Sequence, residues 1–96
     1  MQVQVELKIK YLKRRIQDIE DLRSSLEMDD YSVAMKLGHQ VKGNAVTFEF
    51  PQMAHIGLEI ESAAKRKDKE RVKILAEKME SVIHSVKENF PGQLSI

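Results

Sequence analysis

Three residues in one short segment of the chain could do chemistry together: His39, Lys42 and Gly43. A neutral imidazole is a nitrogen nucleophile near pH 7, and it needs no separate base to deprotonate it. Phosphoryl transfer demands mainly positioning and charge compensation, and an ammonium group three residues further along a helix can reach phosphoryl oxygens. The chemistry that suits His39 and Lys42 is therefore acceptance of a phosphoryl group.

The helix that must position these residues has two different faces. Stepping about 100° per residue from Val41 places four apolar residues within about 40° of that direction, namely Ala34, Leu37, Ala45 and Phe48. His39 lies about 160° from Val41, on the outward face. The residues that share this face with it are Lys36, Lys42, Gly43 and Val46. We therefore predict that His39 is exposed, with Lys42 as its neighbour one turn further on.

Gly43 is the unusual member of this outward face. A glycine inside a helix costs about 1 kcal/mol relative to alanine. Packing of the helix within its own bundle cannot explain a glycine that faces solvent. We infer that a partner approaches the backbone closely beside His39, where a side chain would block it. Gly43, Val46 and Lys36 are accordingly predicted to form part of a docking surface for that partner.

The same apolar periodicity continues along the chain and predicts four helices. Their expected ranges are 5–27, 31–48, 51–67 and 69–88. Asp30 and Asp68 are candidate N-caps, and Pro51 suits a first helical turn. The tail, residues 89–96, is expected to fray. Because the connections are short, neighbouring helices should pack antiparallel, so the expected fold is all-α, an antiparallel up-and-down four-helix bundle.

Composition limits the class of protein. A chain of 96 residues, 42% of them hydrophobic, can build one core, so we expect a single domain over 1–96. The chain has no cysteine, which favours a reducing, cytoplasmic location. A net charge of +1 argues against nucleic-acid binding. No run approaches the roughly 18 apolar residues of a membrane span, so no membrane association is expected.

Other polar residues have simpler interpretations. His55 and His84 show no metal-ligand spacing and are expected to be solvated. The basic run over 8–15 and the mixed run over 65–73 are expected to be solvated helix faces. Tyr11, together with the first of these runs, could instead make a dimer contact. The oligomeric state stays open, with a monomer favoured.

The sequence around His39 resembles the His-x-apolar-Lys-Gly signature of histidine-containing phosphotransfer domains. The resemblance continues beyond the signature through Phe48-Glu49-Phe50, Met53, Ile56-Gly57 and Glu61-Ser62-Ala63-Ala64. It implies a phosphorelay function, in which His39 accepts a phosphoryl group on Nε2 from a histidine kinase or a receiver-domain phospho-aspartate. The group would then pass to an aspartate of a response regulator. The resemblance also implies that Lys42 stabilises the phosphoryl group, that Gly43 leaves room for a docking receiver domain, and that Glu61 orients the histidine through its Nδ1–H.

Two positions depart from the family pattern. Asn44 stands where a small residue is usual, and Glu49 replaces the glycine common between the two aromatic residues. Neither change touches the acceptor histidine or its lysine. We expect them to affect the choice of partner and the shape of the end of the second helix.

The resemblance further implies a phosphotransfer intermediate that is not an enzyme with turnover of its own. No cofactor is expected in this chain, and the magnesium ion and acceptor aspartate would belong to the partner receiver domain. The main alternative is a phosphate-free helical module that binds a receiver domain. A small basic nucleic-acid-binding bundle is a further alternative, which the near-zero net charge disfavours.

Overall fold

The computed structural model describes residues 4–88, which form four helices and, within that range, no strand. The helices are α1 (Val5–Glu27), α2 (Ser32–Asn44), α3 (Pro51–Lys65) and α4 (Lys69–Glu88). The all-α fold class and the four-helix architecture predicted from the sequence are confirmed. Among the described residues, no helix is long and apolar enough to cross a membrane. The tail that was expected to fray, residues 89–96, lies outside the described residues.

The apolar stripes of the four helices meet in a common core. Its largest fully buried side chains are Leu12, Ile19, Leu22, Leu26, Val41, Met53, Ile60, Val72, Leu75, Met79 and Ile83. Burial of one such aliphatic side chain stabilises a fold by about 1.5–3 kcal/mol, so this core is the main source of stability. Where a helix contributes several of these residues, they are three, four or seven positions apart, which are the spacings of one helical face.

Two contacts between consecutive helices join residues in opposite chain order, which is the order expected of antiparallel neighbours. Tyr11, early in α1, donates a hydrogen bond of 2.7 Å to Asn44 at the end of α2. Arg71, at the start of α4, donates one of 2.8 Å to Glu59 in the second half of α3. The connections between the helices are short, as the sequence predicts.

The predicted helix starts are set by local chemistry. The Asp30 carboxylate accepts hydrogen bonds from the backbone N–H and the hydroxyl of Ser32, at 2.9 and 2.7 Å. The Asp68 carboxylate accepts one from the backbone N–H of Arg71 at 3.1 Å. Pro51 occupies the first turn of α3, where its missing N–H has no helical partner to lose. Asp68 directly precedes α4, as predicted, and the placement of Pro51 is confirmed. The N-cap position of α2 is Tyr31 and not Asp30, because the helix begins one residue later than the sequence predicts.

Two predicted helix ends are wrong. Helix α2 ends at Asn44 and not at Phe48, and α3 ends at Lys65 and not at Lys67. In both places the chain tightens into turns before a residue with a left-handed backbone. Apolar periodicity continues through such turns, so it carries no information about where the helical hydrogen bonding stops.

The three connections between helices share one kind of turn. Each contains a non-glycine residue in the left-handed region: Asp29 (φ 56°), Glu49 (φ 69°) and Lys67 (φ 55°). After α2, the N–H of Phe50 donates to the carbonyl of Ala45 at 2.8 Å, the long hydrogen bond of a Schellman motif. Left-handed backbone costs an L-residue about 1–2 kcal/mol. Glu49 therefore occupies a conformation that glycine favours, which accounts for the glycine usual at this position.

Tyr11 joins α1 to the end of α2. Its ring stacks on Phe48 with centroids 4.4 Å apart and lies 5.9 Å from the ring of Phe50. Its hydroxyl donates a hydrogen bond to Asn44. The asparagine that departs from the family pattern therefore helps to hold α1 against the end of α2. Because Tyr11 is only 6% exposed, it is not available for the dimer contact that the sequence left open.

Arg15 is an exception among the basic residues that were expected to be solvated. It is buried, with 7% of its surface exposed. Its guanidinium lies over the Tyr11 ring, 4.7 Å from the centroid, and 2.9 Å from a carboxylate oxygen of Asp18. Burial also raises the pKa of the Tyr11 phenol, so the ring stays neutral beside this ion pair.

Candidate functional site

Two glycines bring the backbones of α2 and α3 into contact. A Cβ atom at Gly38 would lie 2.6 Å from both the backbone nitrogen of Glu61 and the carbonyl oxygen of Gly57. A Cβ atom at Gly57 would lie 2.8 Å from the backbone nitrogen of Lys42. Any larger residue at either position would push the helices apart. We call this contact the glycine crossing, and it holds the side chains beside it within reach across the two helices.

One carboxylate connects those side chains. Oε2 of Glu61 lies 3.0 Å from Nδ1 of His39, and Oε1 accepts a hydrogen bond of 2.8 Å from Nζ of Lys42. The Glu61 side chain is 11% exposed, whereas that of His39 is 70% exposed. The carboxylate therefore sits at the base of the site and the imidazole projects from it. We call His39, Lys42 and Glu61 the acceptor cluster.

The charge on Glu61 determines which nitrogen of His39 is free. The hydrogen bond from Lys42, against the opposing effect of burial, lowers the pKa of Glu61 below its ordinary value, and the bond to His39 lowers it further. Glu61 is therefore ionised at neutral pH and can only accept, so Nδ1 of His39 must be the donor. A neutral imidazole protonated on Nδ1 carries its lone pair on Nε2. The available nucleophile is the nitrogen at the tip of the exposed ring.

The remaining residues predicted for the site lie around the cluster. A Cβ atom at Gly43 would have nothing within 4 Å, so the backbone beside His39 faces open space. Lys36 is exposed one turn before His39, and Val46, in the turn that follows α2, is 60% exposed. The structure thus places His39, Lys42 and Glu61 in one hydrogen-bonded group and the other three predicted residues on the surface near it.

The four-helix fold agrees with the comparison to known families. A family model described as the Hpt domain matches residues 6–89, which is most of the chain. The chain belongs to the Hpt domain family. No curated protein and no solved structure matches it significantly. Hpt domains are carriers in histidine phosphotransfer and interact with kinase and receiver-type partners, so the general role of this Hpt domain is in a phosphorelay.

Sequence analysis missed the glycine crossing of this Hpt domain. Gly38 belongs to the stretch that resembles the family signature, in which the next residue, His39, is the one that could do chemistry. A signal was present, because Gly38 and Gly43 lie in the same helix and each glycine there costs about 1 kcal/mol relative to alanine. Periodicity could not pair Gly38 with Gly57, since it shows which face of a helix is apolar and not which helix approaches that face.

A second histidine of the Hpt domain also has a carboxylate partner. Nε2 of His55 lies 2.9 Å from Oε1 of Glu59, and Nη2 of Arg71 donates to Oε2 of Glu59 at 2.8 Å. His55 is exposed, as predicted, and so is His84. We call His55, Glu59 and Arg71 the His55 cluster. Within residues 4–88, no group of three His, Asp or Glu side chains converges in a way that could hold a metal ion.

Proposed function

We propose that His39 is the phosphoacceptor of this Hpt domain. It receives a phosphoryl group from a histidine kinase or a receiver-domain phospho-aspartate and passes it to an aspartate of a response regulator. The observation that supports this proposal best is the 3.0 Å contact between Nδ1 of His39 and Glu61, because in a neutral imidazole held this way the lone pair is on Nε2, on an exposed ring.

The transfer step follows from that protonation state. The lone pair on Nε2 of His39 attacks phosphorus, so an N–P bond forms while the P–O bond of the phospho-aspartate breaks. The aspartate carboxylate leaves with the bonding electron pair, and no proton has to be removed from Nε2. Nδ1 keeps its proton, the ring becomes positively charged, and the ionised Glu61 beside it compensates that charge. The reverse step delivers the phosphoryl group to another aspartate.

Lys42 is proposed to stabilise the phosphoryl group. Its ammonium carries three N–H donors, so it can keep its bond to Glu61 while another N–H donates to a phosphoryl oxygen. Its side chain is 38% exposed and borders the solvent into which His39 projects. The open backbone at Gly43 is proposed to admit the receiver domain. Magnesium and the acceptor aspartate belong to that partner, and the domain has no turnover of its own.

The test is transfer of phosphate to the wild-type protein and to two matched histidine variants. With phosphoramidate, or with a phosphorylated receiver domain, as donor, wild type and His55→Gln should take up acid-labile, alkali-stable phosphate. His39→Gln should take up none, because it lacks the nucleophilic nitrogen. Circular dichroism should show the same helical content in all three proteins.

Two results would contradict the acceptor role. Undiminished phosphate on His39→Gln would place the acceptor elsewhere. A folded wild-type protein that accepts phosphate from no donor would favour the phosphate-free interaction module. A cytoplasmic location, a monomeric state and the lack of nucleic-acid binding remain predictions from the sequence.

A further inference from the structure

A groove between α3 and α4 lies on the side of α3 that faces away from the acceptor cluster. Glu59 borders this groove, whereas Glu61 contacts His39 on α2. The two glutamates are two residues apart on one helix and therefore point about 200° away from each other. The groove encloses about 670 Å³, within the range of about 300–1,000 Å³ that is typical of small-molecule sites. We call it the α3–α4 groove.

The surface inside the α3–α4 groove is mostly apolar. Pro51 and Ile56 contribute to it from α3, and Val82 contributes from α4. An apolar ligand that enters the groove removes this surface from water, which favours association. The groove can therefore hold the apolar part of a ligand.

The α3–α4 groove is short. Its lining residues on α3 run from Pro51 to Glu59, which is about 12 Å of helix. At Glu59 a side-chain bridge joins the two helices, because Nη2 of Arg71 donates a hydrogen bond of 2.8 Å to Oε2 of Glu59. A stable protein interface usually involves about 20–30 residues on each side, whereas eight residues line this groove. Its size therefore fits a small molecule better than a second protein.

The charged side chains around the α3–α4 groove favour an anion. Lys78 is exposed at its edge, and within the described part of the chain its ammonium has no ion-pair or hydrogen-bond partner. Both oxygens of the Glu59 carboxylate are engaged, one by His55 at 2.9 Å and the other by Arg71 at 2.8 Å. The cations of Lys78 and Arg71 thus outnumber this carboxylate. A lysine can lay its apolar stem along such a groove while its ammonium pairs with an anion.

We propose that the α3–α4 groove is a binding site for a small amphipathic carboxylate. The ligand's aliphatic chain or ring lies against Ile56 and Val82, and its carboxylate accepts a hydrogen bond from the Lys78 ammonium. The hydroxyl of Ser81, which also borders the groove, can donate a second hydrogen bond. Because the site does not overlap the acceptor cluster, this inference is independent of the proposed role of His39.

The probes that test the site are octanoate, octylammonium and octanol, which share one alkyl chain and differ in the charge of the head group. Each is titrated into the isotope-labelled protein, and the backbone amide resonances are followed by NMR. Octanoate should shift the amides of Gln52, His55 and Val82, which lie along the groove. It should bind about fivefold more tightly than octylammonium, because Lys78 attracts the first head group and repels the second. Octanol should have an intermediate affinity.

Variants of two lysines on α4 test the charge contact. Lys78→Gln should weaken octanoate binding about threefold, which is the effect expected of one exposed ion pair, and Lys78→Arg should restore it. Lys73→Gln is the matched control, because Lys73 is also exposed on α4 but borders a groove toward α1. It should bind octanoate as the wild-type protein does. Val82→Asp places a carboxylate among the apolar side chains and should prevent octanoate binding, while circular dichroism verifies its helical content.

Three results would overturn the proposal. The first is a set of octanoate-induced shifts that lies outside the groove, and the second is an equal loss of affinity in Lys73→Gln and Lys78→Gln. The third is a shift of the groove amides when the protein alone is diluted, which would show that a second copy of the chain occupies the groove. His39→Gln should bind octanoate as the wild-type protein does, so failure of the acceptor role and failure of this site are distinguishable.

Discussion

The acceptor cluster and the His55 cluster are built from the same kinds of residue at nearly the same distances. Each joins a histidine, a glutamate and a basic side chain across two helices. The histidine contacts measure 3.0 and 2.9 Å, and the cation contacts measure 2.8 Å in both. They differ in the nitrogen that the carboxylate engages. In the acceptor cluster it is Nδ1, and in the His55 cluster it is Nε2.

That difference decides which histidine can react with a large partner. Nε2 of His39 is at the tip of the ring, away from the backbone. The nitrogen left free on His55 is Nδ1, which lies next to its own Cβ atom and close to the helix. A phosphorylated domain can approach the first position far more easily than the second. Residue types and distances alone therefore do not define an acceptor, because the orientation of the ring matters as well.

The two clusters also differ in how their geometry is fixed. Glu59 and His55 lie four residues apart on one helix, a spacing that any helix surface offers. Glu61 reaches His39 from a neighbouring helix, and only the glycine crossing brings the two backbones close enough. The carboxylate of the acceptor cluster is also the less exposed of the two, at 11% against 30%. The acceptor cluster should therefore be the more sensitive one to changes in packing.

The largest effect is expected from filling the glycine crossing. Gly38→Val should lower the free energy of unfolding by about 3 kcal/mol, because the added atoms overlap backbone atoms of α3. Gly43→Ala is the matched control on the same helix. It should raise the free energy of unfolding by about 1 kcal/mol, because alanine favours helix and meets no neighbour. Urea denaturation measures both, and equal values for the two variants would contradict the glycine crossing.

The next effect is expected from removing the two carboxylates. Glu61→Ala should slow phosphate uptake by His39 about 30-fold, which corresponds to the roughly 2 kcal/mol of a hydrogen bond to a charged group. Glu59→Ala should leave the rate unchanged, because its cluster plays no part in transfer. Glu61→Gln should recover part of the rate, since its amide oxygen still accepts from Nδ1. Initial rates with a phosphorylated receiver domain measure this series, and a similar loss in Glu59→Ala would remove the distinction between the clusters.

A smaller effect is expected from removing the two cations. Lys42→Ala should slow phosphotransfer about tenfold, because one charge-assisted hydrogen bond to the phosphoryl group is lost. Arg71→Ala should transfer at the wild-type rate, although it loses its bond to Glu59. Single-turnover transfer assays compare them. An unchanged rate in Lys42→Ala would show that this lysine serves only to hold Glu61.

The smallest expected effect is a shift in titration. Lys42, His39 and Lys65 lower the pKa of Glu61 below 4.5, so the ionised form is favoured in the folded state. The stability that this provides is present above the pKa of the unfolded chain and is lost as the pH falls through the lower folded value. Side-chain carboxyl NMR should show Glu61 titrating below 4.5 in wild type and closer to it in Lys42→Ala. A Glu61 that titrates at 4.5 or above would contradict the ion pair.

Sequence periodicity predicted the four helices and the exposure of His39, because both depend on apolar residues recurring every three or four positions along a helix. It did not predict the ends of α2 and α3; Phe48, for example, continues the apolar stripe four residues beyond the end of α2 at Asn44. It also placed Arg15 among solvated residues, although the ring of Tyr11 covers its guanidinium. The partners of Arg15, Tyr11 and Asp18, lie on its own helix, and periodicity does not register such contacts because it sorts residues by polarity alone.

For the candidate site, the sequence located each residue but not the arrangement. The resemblance to the family implied that Glu61 orients His39, and the structure brings the two side chains into contact. That Glu61 binds Lys42 at the same time could not be derived from spacing, because α2 and α3 are separated by a turn of irregular backbone. The role of Gly38 required knowing how closely two helices approach.

The glycine crossing has a consequence for how this domain can change over evolutionary time. Where two helices are separated by side chains, each substitution in the core alters their spacing slightly. Here the spacing is set by main-chain atoms of the two helices, and substitution of a side chain does not change main-chain atoms. The bundle can therefore exchange many of its apolar residues while the distance from His39 to Glu61 is preserved. As long as Gly38 and Gly57 are kept, substitutions elsewhere in the core should therefore have little effect on this distance.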